Sequence, residues 1–536
     1  MPRACRGPPT ISAAGCSTSN RAGRNAPRGG AKLEPDPLIQ ILRLPYLGVV
    51  IAPKSVTLVG SVKIPLPAII QGGMGVGVSH WRLARAVSSV GQLGVVSGTG
   101  LDQVLARRLQ DGDPEGHARR ALSQFPLRAL AQRVLETYFR PEGRPAGTPY
   151  RLVGMHTLDG HRWAQQMCIA ANFVEVFLAR EGHSHPVGIN YLEKIQLPHL
   201  PSLYGAMLAG VSVVIMGAGI PLEIPPAITA LAAHQPASYP IYVNGAASGQ
   251  TFRATFDPAA FVEPGETLAP LARPDFLPIV SSITLATVLT RRAAGPIDGF
   301  VVEGPLAGGH NAPPRGARTF TDDGQPVYGP RDEVDLEALR AFGRPYWLAG
   351  AYGSAEGLRK ARALGAAGIQ VGTAFALCTD SGLTPAFRQT LVRQAVAGQA
   401  VVFTDPVASP TGFPFKVARL AGTLSEPDVY QQRPRLCDLG ALRELYLRAD
   451  GTVGYRCPAE PVELYVAKGG RAEDTPGRKC LCNALTANIG LPQWRGEGKT
   501  ESALITLGDD VAGIGRFCPA GAIDFSAADV VSTILG

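Results

Sequence analysis

The chain has 536 residues, 45% of them hydrophobic and 18% charged. That is enough for a barrel-sized core with additions, and its 63 glycines and 46 prolines lie between apolar runs rather than in one disordered block. The formal net charge of +8 leaves no electrostatic footprint for nucleic acid, because half the excess sits in residues 1–37 and the rest is thinly spread. No apolar run approaches the roughly 18 residues needed to span a bilayer, which excludes a helical membrane protein. The nine cysteines are irregularly spaced and odd in number, which predicts reduced thiols and a cytoplasmic location.

In chain order, residues 1–37 form a basic tail: Arg3, Arg6, Arg21, Arg24, Arg28 and Lys32 face only Glu34 and Asp36. The tail lacks both the amphipathic period of a transit peptide and the apolar stretch of a secretory signal, so a disordered extension is expected. Between residues 66 and 375 come eight short apolar runs: LPAIIQ (66–71), LGVVSG (93–98), PVGINYL (186–192), VSVVIM (211–216), FLPIVSS (276–282), IDGFVVEG (297–304), PYWLAG (345–350) and GIQVGT (368–373). They do not alternate apolar with polar, as expected of strands covered on both faces. Helix-like segments at 80–90, 200–210, 282–293 and 354–366 separate several of them. The arithmetic is that of the α/β class, a (β/α)8 TIM barrel.

Two spacings exceed a simple crossover. Residues 99–185 read as a helical insertion after strand 2. Residues 221–275 hold a Pro-rich helix, the segment SYPIYVNG and a loop. Both leave from carboxyl ends of strands, where they overhang an active site or form an oligomer interface. After about residue 385 the barrel pattern stops, and residues 386–536 read as a helical, loop-rich C-terminal extension packed on the barrel.

Chemistry is expected where the strands end. The first strand runs into QGGMGVGVS (71–79), where glycines let backbone approach a flat ligand and where Gln71 and Met74 could meet it; ordinary tight turns look the same. WLAGAYGS (347–354) and GIQVGTAF (368–375) place Gly350, Ala351, Tyr352, Gly353, Gly372 and Thr373 where loops after strands seven and eight hold a phosphate. His310 follows Gly308 and Gly309 at the end of the sixth strand, a position suited to proton transfer or to stabilising an anion, with Asn311 as a second donor. Gly217, Ala218 and Gly219 end the fourth strand. Asn190, Tyr191, Glu193 and Lys194 end the third, either lining a pocket or solvated in a loop. His183 and His185 lack the carboxylate or cysteine neighbours of a metal site. Cys437, Cys457, Cys480 and Cys482 lack the close pairs of zinc or iron–sulfur motifs and read as structural thiols, so no metal is expected. SPTGFPFK (409–416) could bring Lys416 near a phosphate.

Taken in order, IIQGGMGVGVS, GVSVVIMGAG, GFVVEGPLAGGH, WLAGAYG and GIQVGTAF resemble the nitronate monooxygenase family, formerly the 2-nitropropane dioxygenases. The same series is shared with its sister group, the FMN-dependent enoyl-acyl-carrier-protein reductases. The resemblance covers roughly residues 64–385 and implies an FMN-binding TIM barrel over 38–385 without a metal. By motif, Gln71, Gly73, Met74, Gly75, Gly308 and Gly309 would lie at the flavin ring. Gly350, Ala351, Tyr352, Gly353, Gly372 and Thr373 would hold the FMN phosphate end. Catalysis would fall to His310, with Asn190, Gly217, Ala218, Gly219 and Asn311 facing substrate. One departure matters: family members known to oxidise nitronates carry a histidine just after strand four, and this chain has Gly217-Ala218-Gly219.

The implied activity is oxidation of alkyl nitronates with O2 to a carbonyl compound and nitrite. The alternative is an enoyl-thioester reductase using NAD(P)H and FMN, acting in trans with a fatty-acid or polyketide synthase. A third reading is a flavin-binding scaffold for an acyl-carrier partner. A homo-oligomer is compatible with each; nucleic acid and membrane are not expected partners.

Overall fold

The computed structural model describes residues 66–263, 268–520 and 522–536. The tail expected over 1–37, and the start of the expected barrel segment at 38–65, lie outside them. Eight apolar runs become parallel strands of one sheet. β1 (Ile69–Gln71), β2 (Gly94–Ser97), β3 (Val187–Leu192) and β4 (Val213–Gly217) precede an antiparallel hairpin, β5 (Ala237–Ile241) and β6 (Phe252–Phe256). β7 (Asp275–Val280), β8 (Phe300–Glu303), β9 (Tyr346–Ala349) and β10 (Gly368–Val371) complete the set.

The strand order β1-β10-β9-β8-β7-β4-β3-β2 leaves β1 and β2 at the two ends. A parallel bridge between Ile70 and Leu93 joins them, with Gln71 N donating to Leu93 O at 2.9 Å and Leu93 N to Ile69 O at 3.1 Å. The sheet is thereby a closed (β/α)8 barrel.

Burial explains why the strands read as unbroken apolar runs. Side chains alternate between an interior cluster and a larger shell beneath the helices. Ile70, Val95, Val213, Ile215, Leu277, Val301 and Trp347 belong to the interior cluster. Ile69, Val96, Val214, Phe276, Phe300, Leu348 and Ile369 belong to the shell. Trp347 plugs the amino end of the barrel, its Nε1 donating to Pro67 O at 2.8 Å.

The expected helices stand at Trp81–Ser89, His199–Leu208, Ile283–Arg292 and Ala355–Ala363. The insertion after β2 holds the helices Leu101–Gln110, His117–Ser123, Arg128–Tyr138 and Arg162–Arg180. The last packs against His199–Leu208, where a Cβ on Gly205 would fall 2.2 Å from Ile169 O. The 221–275 insertion contains the β5–β6 hairpin in addition to the helix Ile224–Ala232. Pro240 stands inside β5, a residue that argues against a strand on sequence grounds but is tolerated in this two-stranded ribbon.

Residues 386–536 carry more strand than the sequence suggested: the hairpins β11 (Val402–Asp405)/β12 (Phe415–Ala418), β13 (Glu444–Leu447)/β14 (Val453–Arg456) and β15 (Trp494–Gly496)/β16 (Lys499–Thr500). Each strand is four residues or shorter, too brief for a period of two to declare itself. Among the described residues no helix is long and apolar enough to cross a membrane.

Candidate functional site

At the carboxyl ends of the barrel strands lies a cavity of about 620 Å3. Most of the residues singled out by sequence meet there. Gly73, Met74 and Gly75 come from the loop after β1, Asn190 from β3, and Gly217 and Ala218 from the end of β4. Gly308, Gly309 and His310 come from the loop after β8, Gly350, Ala351 and Tyr352 from that after β9, and Gly372 and Thr373 from that after β10.

Four others do not line it. Gln71 is fully buried: its Oε1 accepts from Val95 N at 2.9 Å, and its Nε2 donates to Ser79 Oγ and to Gly72 O. It ties β1 to β2 and shapes the loop that presents Met74. Gly353 sits behind the wall, its carbonyl accepting from Arg516 Nη1 at 2.9 Å. Gly219 and Asn311 border a smaller neighbouring cavity that shares Glu303 and His310 with the larger one.

Gly219 has a packing reason: a Cβ there would lie 1.8 Å from Glu193 Oε2. Glu193 itself is neither solvated nor lining the larger cavity. It is buried and accepts from Tyr239 Oη and Gln196 Nε2, each at 2.9 Å. Lys416 is also not free for a phosphate; it is buried, with Nζ bonded to Thr404 Oγ1 and Asp509 Oδ2 at 2.7 Å each.

His310 is half-buried and held from two sides. Its Nε2 meets Ser409 Oγ at 2.7 Å, and its ring lies edge-on to Phe415 at 4.8 Å. Burial lowers its pKa to about 4, so the ring is neutral at physiological pH. Ser409 in turn meets Thr411 Oγ1 at 2.8 Å, so the 409–416 segment acts on the histidine rather than on a phosphate.

Glu303, the last residue of β8, lines the same cavity and was missed by the sequence reading, which absorbed it into an apolar strand. Burial raises its pKa to about 8, leaving a carboxyl that is largely protonated at neutral pH beside a neutral imidazole's loop. An acid closing an otherwise apolar strand was the signal available.

Asn190 Nδ2 donates to Gly73 O at 2.9 Å, while its buried Oδ1 has no protein partner among the described residues. Gly73 permits this approach, since a Cβ there would stand 2.3 Å from Asn190 Cβ. At the other end of the cavity, Gly350 and Ala351 both take positive φ, 96° and 62°. Thr373 Oγ1 accepts from Gly508 N at 3.0 Å. Asp510 shares this wall, and burial raises its carboxyl above the usual range.

Residues 270–410 match the family model described as nitronate monooxygenase. The matched stretch contains His310, Gly350, Gly372 and Thr373. Over that stretch the barrel is similar to the nitronate monooxygenases. The resemblance drawn from the motifs is thus borne out over that stretch. A nitronate monooxygenase of Pseudomonas aeruginosa (strain PAO1) is 35% identical over 123 residues, 23% of this chain and 33% of that protein; the match spans about a third of the relative's length.

Solved structures similar in fold include FabK from Thermotoga maritima, at 17% identity and a TM-score of 0.43 over 88% of this chain and 92% of that one. Nitroalkane oxidase from Streptomyces ansochromogenes gives 14% and 0.42, over 88% and 95%. The enoyl reductase domain of MlnA from Bacillus amyloliquefaciens gives 11% and 0.42, over 88% and 93%.

Proposed function

We propose that the chain is an FMN-dependent, nitronate monooxygenase-like oxidoreductase. The observation that carries this reading is the meeting of His310 with the glycine-rich ends of β1, β9 and β10 around one cavity. Three features suit a flavin mononucleotide. Backbone free of side chains lies on the β1 and β8 loops, Asn190 Oδ1 has no protein partner among the described residues, and Gly350 and Ala351 take left-handed turns where a phosphate would sit. Met74, Gly75, Gly308 and Gly309 would flank the ring, and Gly350, Ala351, Tyr352, Gly372 and Thr373 would hold the phosphate end. Gln71 and Gly353 support these loops from behind, and Gly219 and Asn311 belong to the adjoining small cavity. When bound, FMN supplies reversible two-electron transfer.

His310 supplies a neutral hydrogen-bonding group whose Nε2 is fixed by Ser409, leaving Nδ1 without a protein partner among the described residues. It would orient the anionic nitro group of an alkyl nitronate without carrying charge itself. Overall, the carbon–nitrogen bond breaks, a carbon–oxygen bond to an O2-derived atom forms and nitrite leaves, two nitronates balancing one O2. Asn190, Gly217 and Ala218 would border the substrate.

A second reading has its own support. β4 ends at Gly217 and runs into Ala218-Gly219 without an imidazole, and Leu439, Leu442, Leu445, Leu481 and Leu485 are among the residues lining the cavity, where an acyl chain could pack. For an enoyl thioester, the flavin held in this cavity would supply reducing equivalents drawn from NAD(P)H, and His310 would hydrogen-bond to the thioester oxygen. An acyl-carrier partner would deliver that thioester. An anaerobic absorbance titration separates the readings. Bleaching of the yellow protein by an alkyl nitronate and not by NAD(P)H supports the oxidase, and bleaching by NAD(P)H supports the reductase. A colourless protein that takes up no added FMN would remove both.

A further inference from the structure

The insertion after β2 brings three metal-binding side chains from three different pieces of chain to one edge of the cavity. Asp102 stands in the first turn of the helix Leu101–Gln110, His156 in the irregular segment 151–161, and Cys168 in the helix Arg162–Arg180. One ligand atom from each lies within 4.8 Å of the others, and all three residues line the cavity.

Their hydrogen-bond inventory does not close. A single nitrogen, His156 Nε2, faces both Cys168 Sγ at 3.3 Å and Asp102 Oδ2 at 3.7 Å. That nitrogen stands at hydrogen-bond distance from the thiol, which Ser202 also engages, and beyond it from the Asp102 carboxylate. The Asp102 side chain is 9% exposed and takes no hydrogen bond within donor distance among the described residues. A nitrogen lone pair, a sulfur and a carboxylate oxygen converging on one point are satisfied together by a cation.

We infer that Asp102, His156 and Cys168 form a divalent transition-metal site of the zinc class, with a fourth position open to the cavity. The mixed nitrogen, sulfur and oxygen donors exclude calcium and magnesium, which prefer oxygen alone. Three protein ligands with one open position are the arrangement of zinc sites that bind a water or a substrate oxygen. Surrounding bonds hold the ligands: Arg443 Nη2 donates to His156 O at 2.7 Å, and Asn172 Nδ2 to Cys168 O at 2.9 Å. The metal would fasten segment 151–161 between two helices at the cavity rim.

The test uses the full chain, stripped with a chelator and given zinc. We expect one zinc per chain by elemental analysis. X-ray absorption at the zinc edge should show a single sulfur neighbour at about 2.3 Å and nitrogen or oxygen neighbours at about 2.0–2.1 Å. Cys168→Ser should lose the sulfur shell, and Asp102→Asn should weaken zinc binding about tenfold or more. Two or more sulfurs per zinc would place the ion among Cys437, Cys457, Cys480 and Cys482 and overturn the assignment, as would no retained zinc. If Cys168→Ser does not fold, alkylation of the unaltered chain decides: zinc should shield Cys168 from iodoacetamide, and equal labelling with and without zinc would refute the site. None of these readouts depends on the flavin reading.

Discussion

Glu303 ends β8 and His310 stands on the loop that follows, yet burial drives them to opposite protonation logic. Both are expected to be uncharged near neutrality. Because His310 titrates near 4, turnover should show no histidine inflection between pH 5 and 8. His310→Ala should keep the flavin and lose about 10²-fold or more in kcat, the range for a positioned proton-handling group. Flavin absorbance and steady-state rates check this, and unchanged rates would remove His310 from the mechanism. For Glu303 the folded value of about 8 lies above the ordinary glutamate value of 4.5. The folded state therefore binds the proton more tightly. The associated stability is complete below 4.5 and fades as pH rises through 8. Glu303→Gln should flatten the decline of the urea midpoint between pH 5 and 8.5; parallel curves for variant and parent would show that Glu303 does not titrate there. At this scale the sequence was legible where an unusual residue followed glycines, as at His310. It was silent at Ser409, because the partner that makes this serine matter lies 99 residues away.

Elements were easier to read than their roles. The eight barrel strands were legible because burial on both faces demands continuous apolar runs, and Trp347 or Leu277 inside are as apolar as Leu348 or Phe276 outside. The hairpins of the C-terminal region were not, since their strands are too short to show a period. Helix contacts were illegible as well. Gly205 looks like a weak point in a helix, but it is where Arg162–Arg180 crosses closest. Alanine there gains about 1 kcal/mol in helix propensity. It also places a carbon 2.2 Å from Ile169 O, and overpacking of this kind costs about 1–3 kcal/mol or more. The clash should win, so Gly205→Ala should lower the urea midpoint. A raised midpoint would mean that the two helices separate freely.

Across the whole molecule, the mouth of the barrel is finished by segments far from it in sequence. Gly309 N donates to Thr506 Oγ1 at 2.9 Å, Lys416 N to Gly309 O at 2.9 Å, and Asp509 N to Leu306 O at 3.1 Å. The loop that carries His310 is thus strapped by β12 and by the irregular segment around Thr506–Asp509 of the C-terminal region, which the sequence could only describe as an appendage. A chain ending at residue 385 should therefore bind FMN much more weakly than the full chain. Equal affinity by fluorescence titration would show that the straps are dispensable.

The strap between Gly309 and Thr506 closes a separation of 197 residues. Contacts of such range form slowly, because a long stretch of chain must be ordered before they repay its entropy. Helices and neighbouring strands, built from local contacts, need not wait. During refolding, far-ultraviolet circular dichroism should recover before flavin fluorescence is quenched, and coincident recovery would place strap closure early. The order of events has a protective side. On the proposed flavin function, a half-made barrel would hold no redox cofactor, so electrons would not be offered to oxygen until the pocket that governs them is shut.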